Sequence, residues 1–500
     1  MKGFLSRTAS YLGKLQEQEY GVNPVLSGAV NYLLDSYFAK VDARMAAMDR
    51  GPRAPYDPVS HVKELWLGCE IHQAVTLNEK RPAWMKGQMA YAFYCLFAGP
   101  TSTYEAVPFI DSYEFKEAVK GVYSLRVQSA MLPVALGKQA KLPVFGTFFV
   151  RSRGTGQQLL VVIDFVYDDP FNCNLTVMSS PGNAEAAEAF LADLAQSLVA
   201  NDIYHRQCLT FTKGYLDFMA VKKTAWNGII LKPQVKDTIR QNTVAVLNNM
   251  ETLAKVDLCP NRNTLLISPP GMAKTSIFRA ISCELEEQMT RIWCTGKSIE
   301  YAEHVTALFS AARSLAPCIL FIEDMDLFGA DRSSGLSSQS VLNEFLACLD
   351  GAQENFGVVV VASTNDFDTM DEALTNRPGR FDVKVEIPFP DEDERHKMLV
   401  TFFDGYKSGP DPTVTKDIWK NVIDMMDGFT GAYIRDVAKN CVLRAVDAGC
   451  YDGTVVTFTA DHLIAAANQS LSNYQLGKRA RKHIVDAHVE IGGMDKAVPR

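Results

Sequence analysis

From about residue 216 the chain alternates short apolar runs with stretches whose apolar residues recur every three or four positions. The runs Thr264–Ile267, Cys318–Ile322 and Val358–Ala362 are short and nearly all apolar, as expected of strands buried on both faces. Between and beside them, Ile277–Met289, Val305–Ser314 and Val341–Leu349 carry helical spacing. That alternation predicts an α/β fold, a parallel sheet with crossover helices. From Asp391 to about Ser470 the pattern is helical, with one strand-like stretch at Thr454–Phe458.

The first 215 residues are mixed. Ala29–Met48 and Asn183–Ala200 read as helices. Leu142–Val150 and Gln158–Tyr167 are rich in β-branched and aromatic residues, and Arg153-Gly154-Thr155-Gly156 between them is turn-like, which predicts a β-hairpin. The expected organisation is a mixed α/β domain over 1–215, an α/β domain over 216–390, a helical domain over 391–470 and a polar tail over 471–500.

Composition narrows the class. Of 500 residues, 47% are hydrophobic and 22% charged, which excludes a disordered chain, a collagen and a disulfide miniprotein. The net charge of −8 argues against bulk attraction to nucleic acid or anionic membranes. No apolar run approaches the roughly 18 residues of a membrane span, and Arg7, Lys14 and Glu17 interrupt any signal-peptide reading of the N-terminus. The 11 cysteines include no C-x-x-C pair, which fits reduced thiols in a cytoplasmic compartment. The histidines show no metal-ligand spacing, and no H-E-x-x-H is present.

The candidate chemistry sits at strand ends. Ser268-Pro269-Pro270-Gly271-Met272-Ala273-Lys274-Thr275 follows one predicted strand and opens a helix at Ser276, the context a phosphate-binding loop needs. Lys274 would neutralise β and γ phosphates, and Thr275 would hold Mg²⁺. Ser268 and Ala273 occupy positions where the general pattern has glycine, and a methyl at 273 crowds the loop. Glu323 and Asp324 close the next strand, Cys318–Ile322, at the carboxyl end where open α/β sheets bind ligands. Glu323 is assigned to the metal through water, and Asp324 to the attacking water. Asn365 ends the third strand, placed either to hold that water or to sense the γ-phosphate. Arg377 and Arg380 follow in Leu374-Thr-Asn-Arg-Pro-Gly-Arg-Phe-Asp382; they suit a neighbour's phosphate better than their own chain's. Taken singly, each feature also fits an ordinary turn or a solvated strand end.

Taken in order, SPPGMAKT, APCILFIEDMD, VVVVASTN, LTNRPGRFD and GFTGAYIRD resemble an AAA-family ATPase of the clade with a second region of homology, over about residues 216–470. The resemblance implies ATP and Mg²⁺ as cofactors, a homo-oligomeric ring, commonly a hexamer, and a protein substrate moved by hydrolysis. It makes Asn365 the first sensor and Arg377 and Arg380 trans-acting arginine fingers. It places Gly431 and Ala432 of the lid by the adenine and ribose, with Tyr433 where an acidic residue is frequent, and puts Gly228 and Ile229 near the base. The Glu-Asp order resembles the mitochondrial translocase branch that handles a folded Rieske protein, and bacterial relatives. Without an N-terminal membrane helix that role is not carried over.

Threading unfoldases of the clade carry an aromatic-hydrophobic-Gly triplet that Ser276–Pro317 lacks. Tyr301-Ala302-Glu303 is the nearest pore-loop candidate, the alternative being an ordinary helix residue; Trp293 reads as lying on or near a strand. The aromatic run Tyr91–Phe97 reads as core. Basic residues from Lys478 to His483 read as a solvated face or a partner contact. The expected function is an ATP-hydrolysing ring that remodels, translocates or disassembles a protein or complex, residues 1–215 serving substrate or adaptor recognition by analogy. The alternatives are a nucleotide-binding scaffold with little turnover, and a DNA motor or loader, which the acidic charge opposes.

Overall fold

The structure is a computed structural model that describes residues 63, 66–98, 102–108, 127–165, 171–260, 262–327, 335–350, 355–365, 367 and 379–476. The helix expected at Ala29–Met48, the arginine Arg377 and the basic tail lie outside the described residues. Contacts divide the chain into two compact units, Met1–Ile203 and Tyr204–Arg500.

In the first unit, strands β1 (Val75–Pro82), β2 (Tyr104–Pro108), β3 (Gln128–Ala135), β4 (Lys138–Ser152), β5 (Gln158–Asp164) and β6 (Asn172–Ser179) form an antiparallel sheet. Its order is β1-β6-β5-β4-β2, with β3 also on β4. The expected hairpin is β4–β5; Arg151 faces Gln158, and Gly156 turns the chain at φ 72°. Helices α1 (Lys86–Cys95) and α2 (Ala184–Ala200) contribute Met89, Phe93, Phe190 and Leu194 to a core with Leu159, Val161 and Ile163 of β5. The strand's period of two sends Leu160 to a separate cluster with Trp66 and Phe149. Phe93 and Phe97 of the aromatic run join the larger core, whereas Tyr94 is exposed.

The second unit is built on a sheet of order β13-β9-β12-β11-β10-β7-β8. Its strands are β7 (Cys208–Thr212), β8 (Tyr215–Phe218), β9 (Asn263–Ile267), β10 (Thr290–Thr295), β11 (Cys318–Glu323), β12 (Val358–Thr364) and β13 (Val383–Glu386). All neighbours pair in parallel except β7 with β8. The expected boundary at 215 is therefore late: Cys208–Thr210 already pair with Arg291–Trp293 of β10. Helices α3 (Pro233–Asn242), α4 (Lys274–Glu284), α5 (Ala302–Ser314) and α6 (Gly335–Leu349) accompany the sheet. Helix α4 stops short of the expected Met289, because Glu287 turns at φ 67° to feed β10. On β10, Trp293 is buried with its ring 6.0 Å from Phe278 and 4.6 Å from Phe321.

Past β13 the chain is mainly helical: α7 (Glu392–Gly405), α8 (Lys416–Met425), α9 (Gly431–Asp447) and a helix from residue 460, with one short pair, β14 (Ser408–Pro410) and β15 (Val456–Phe458). Helix α7 opens on a capping box in which Asp391 and Glu394 each accept the other's backbone N–H at 3.0 Å. Leu399, Phe403, Phe429, Ile434 and Phe458 share this lid's core. Among the described residues no helix is long and apolar enough to cross a membrane.

Candidate nucleotide site

The loop after β9 and the ends of β11 and β12 meet at the carboxyl edge of the sheet, because β12 lies between β9 and β11. Register aligns Ile267 of β9 with Thr364 of β12, so Asn365 stands beside the first residue of the loop. The chain re-enters a helix at Lys274 through Ala273, whose φ of 64° is left-handed. A residue with a Cβ is strained there by roughly 1–2 kcal/mol. The methyl expected to crowd the loop thus acts on the backbone conformation itself.

Lys274 is buried, and its three N–H donors are shared among four oxygens within reach of Nζ: Ser268 O at 2.6 Å, Ser268 Oγ at 3.1 Å, Pro269 O at 3.2 Å and Asn365 Oδ1 at 2.8 Å. Ser268, a departure from the glycine pattern, therefore supplies a lysine acceptor with its side chain. Burial lowers the Lys274 pKa, and the carboxylates of Asp324, Asp326 and Glu323 oppose that shift. Thr275 and Ser276 are half-buried on the first turn of α4.

Across from the loop, Asn365 Nδ2 donates to Asp324 Oδ1 at 2.8 Å. Asp324 has a left-handed φ of 51°, which aspartate tolerates better than most residues. Its backbone N–H reaches Ser363 Oγ at 3.4 Å. Asp326 Oδ1 accepts from Asn365 N at 3.1 Å and from Thr364 Oγ1 at 3.2 Å. Asp326, Ser363 and Thr364 had no role in the sequence reading. Asp326 lies in the acidic segment that closes β11, close enough to the strand end to signal a role.

Glu323, the last residue of β11, has a buried Oε1 with no hydrogen-bond partner. A buried carboxylate oxygen without a donor is costly. Hydrated Mg²⁺ would satisfy it, so the donor set fits Mg²⁺-ATP. Burial, reinforced by Glu323, pushes the neighbouring Cys294 thiol up to about 12, so it stays neutral.

Neither of the two residues expected near the base lines the small cleft beside the loop. Gly228 is exposed and Ile229 is packed in the hydrophobic core. A small cleft is lined instead by the residues that follow, Ile230, Leu231 and Lys232, with Met272, Ala273 and Gly431. The 3-10 turn Trp226–Gly228 carries Ile229 inward and presents the next residues to the cleft. On the lid side, Ala432 N donates to Gly271 O at 3.1 Å. Gly271 has φ 85°, and a Cβ on it would lie 2.7 Å from Ala432 Cβ, so the loop and the lid require glycine there. Tyr433 packs against Phe429 and Tyr474 in the lid core.

Arg380 also departs from expectation. It is buried, and its Nε and Nη2 each donate at 2.7 Å to a different carboxylate oxygen of Asp350. Such a bidentate pair is strong and directional. Arg380 is an anchor within its own chain rather than a free guanidinium.

Residues 264–389 match the model of the ATPase family associated with various cellular activities, AAA. The chain carries an AAA ATPase domain. The AAA domain region is 33% identical over 228 residues to an ATP-dependent zinc metalloprotease FtsH 3 of Sorangium cellulosum, covering 43% of this chain and 36% of the relative. A proteasome-activating nucleotidase of Methanoculleus marisnigri is 32% identical over 227 residues, 43% of this chain and 53% of the relative. A 26S proteasome regulatory subunit S10B homolog B of Arabidopsis thaliana is 30% identical over 227 residues, 44% of this chain and 55% of the relative. These matches span about half, or less, of each relative's length.

Proposed function

We propose that the protein binds ATP with Mg²⁺ at the AAA domain and hydrolyses it, and that a ring of copies uses the cycle to remodel a protein or a protein complex. One observation carries the reading: Asn365 bridges Lys274 and Asp324, with 2.8 Å to each. Phosphoryl transfer to water needs a cation on the phosphate, an acceptor for the water's proton and a group fixing the two relative to each other. Those three roles fall to Lys274, Asp324 and Asn365.

Backbone N–H groups of Gly271–Lys274 and the start of α4 cradle the phosphates. Lys274 holds the transferring oxygens, Asp324 takes the proton of the attacking water, and Asn365 orients that water. Thr275 and Glu323 would hold Mg²⁺, Glu323 through water; the ion supplies charge neutralisation on the phosphate oxygens. Ile230, Leu231 and Gly431 line the side that takes the base. Arg377 is the arginine left for a neighbouring copy's phosphate.

The ring, commonly hexameric, and the protein substrate are drawn from the relatives, two of which are named for the proteasome. The antiparallel first unit is the candidate adaptor or substrate-recognition domain. Eleven cysteines with no C-x-x-C pair among them agree with a cytoplasmic setting. A second reading, a scaffold with little turnover, is favoured by the strained Ala273 and the intrachain use of Arg380.

Sedimentation of the full chain with and without a non-hydrolysable ATP analogue tests the assembly. A shift to a closed oligomer with the analogue and Mg²⁺ supports the ring. A particle that stays monomeric at every concentration overturns it.

A further inference from the structure

The loop between β10 and α5 touches the acidic turn directly. Gly296, its first residue, is buried, and a Cβ built on it would lie 2.4 Å from the carbonyl oxygen of Asp324. The same Cβ would lie 3.2 Å from both the carbonyl carbon and the Cβ of Leu327. The first distance is shorter than real Cβ contacts, and the opposing atom is backbone. Gly296 is absent from the residues with positive φ, so its backbone conformation does not demand glycine. Space demands it.

The turn it presses on is compact. Leu327 N donates to Asp324 O at 2.9 Å, closing residues 324–327. That turn holds Asp324, which bonds Asn365 Nδ2, and Asp326, which bonds the Asn365 and Thr364 donors. Any displacement of it therefore moves Asp324 and Asn365 together.

At its other end the loop is tethered. Thr295 Oγ1 and Ser298 Oγ lie 2.9 Å apart, and Ser298 O accepts from Lys213 N at 3.2 Å. Lys213 Nζ pairs with Glu300 Oε1 at 2.8 Å. Lys213 sits in the β7–β8 turn, so this hairpin braces the loop from outside the nucleotide site.

We propose that the loop 296–301, seated through Gly296 against the carbonyl of Asp324, is a positioning element that sets the catalytic acid relative to the phosphate loop. It acts through Asp324 and touches no reacting atom. The proposal rests on the reading of the AAA domain as a working ATPase. Misplacing a catalytic group by about 1 Å costs on the order of 100-fold in rate. Binding of ATP, which depends on Lys274 and the loop backbone, is left in place.

The test measures kcat and equilibrium ATP affinity for the wild type, Gly296→Ala, Lys213→Met and a control, Gly405→Ala, whose added Cβ meets nothing within 4 Å. Gly296→Ala is expected to lower kcat roughly 10- to 100-fold with affinity changed less than about threefold. Lys213→Met, an exposed change that spares the fold, is expected to lower kcat about two- to fivefold, on the same split. The control keeps both values. An active wild type with kcat unchanged in Gly296→Ala overturns this proposal and leaves the ATPase reading standing. If Gly296→Ala does not fold, an unchanged kcat in Lys213→Met overturns it. A wild type that binds ATP and never cleaves it overturns both.

Discussion

Asn365 donates its side-chain amide to Asp324 at 2.8 Å and accepts from Lys274 through the carbonyl of the same amide, also at 2.8 Å. Each neighbour fixes the amide's orientation, since an ammonium has only donors and a carboxylate only acceptors. The amide serves both partners at once because its acceptor and its donor sit on separate atoms.

Replacing Asn365 by alanine removes the bridge while leaving Lys274 on Ser268. We expect kcat to fall by about 100-fold, the scale for loss of one positioned donor, with ATP affinity held within about threefold. Stopped-flow binding alongside steady-state turnover reads the two separately. An affinity loss with normal kcat would mean that Asn365 serves only to hold the lysine.

The carboxylate pair has divided roles. Asp324→Asn is expected to bind ATP normally and lose turnover by about 10²- to 10⁴-fold, the range for a lost general base. Glu323→Gln is expected instead to weaken Mg²⁺ binding, so that turnover needs a higher Mg²⁺ concentration. If the Asp324 variant turns over and the Glu323 variant does not, the roles are exchanged.

Ala273 sits at φ 64°, where glycine is free of the Cβ penalty. Glycine also costs more backbone entropy on folding, by roughly 0.5–1 kcal/mol. Ala273→Gly should therefore gain between about 0 and 1.5 kcal/mol net. Chemical denaturation checks it: a lower midpoint contradicts the strain.

Arg380→Ala should unfold more readily, because it strips the partner from a bidentate pair. With Asp350 partly exposed, the cost is about 2 kcal/mol rather than the 3–5 of a fully buried pair. The loss belongs to the single chain, so mixing with wild-type subunits leaves the variant's stability unimproved. A variant with normal stability whose activity recovers on mixing would restore Arg380 to the neighbour's site.

The second unit was legible because its strands are buried on both faces and so read as continuous apolar runs, as at Val358–Ala362. β7 and β8 were not: Cys-Leu-Thr-Phe-Thr alternates, and only its pairing with β10 assigns it to the sheet. Lys274, Asp324 and Asn365 were legible as strand-end chemistry. The partners that orient them were harder to find. Asp326 acts through a hydrogen bond across strands, and Asp350 through a pair with a residue thirty positions away. Gly296 is required by a backbone approach that no local pattern encodes. The residues that line the cleft lie two positions beyond the expected pair, since a 3-10 turn sets which of Gly228 to Leu231 faces it.

Steady-state release of phosphate from ATP, comparing the purified full chain with its Lys274→Ala variant in Mg²⁺, tests the central claim most directly. The account predicts sustained turnover by the wild type and a loss of at least about 100-fold in the variant. Equal rates, or no release by either, would contradict it.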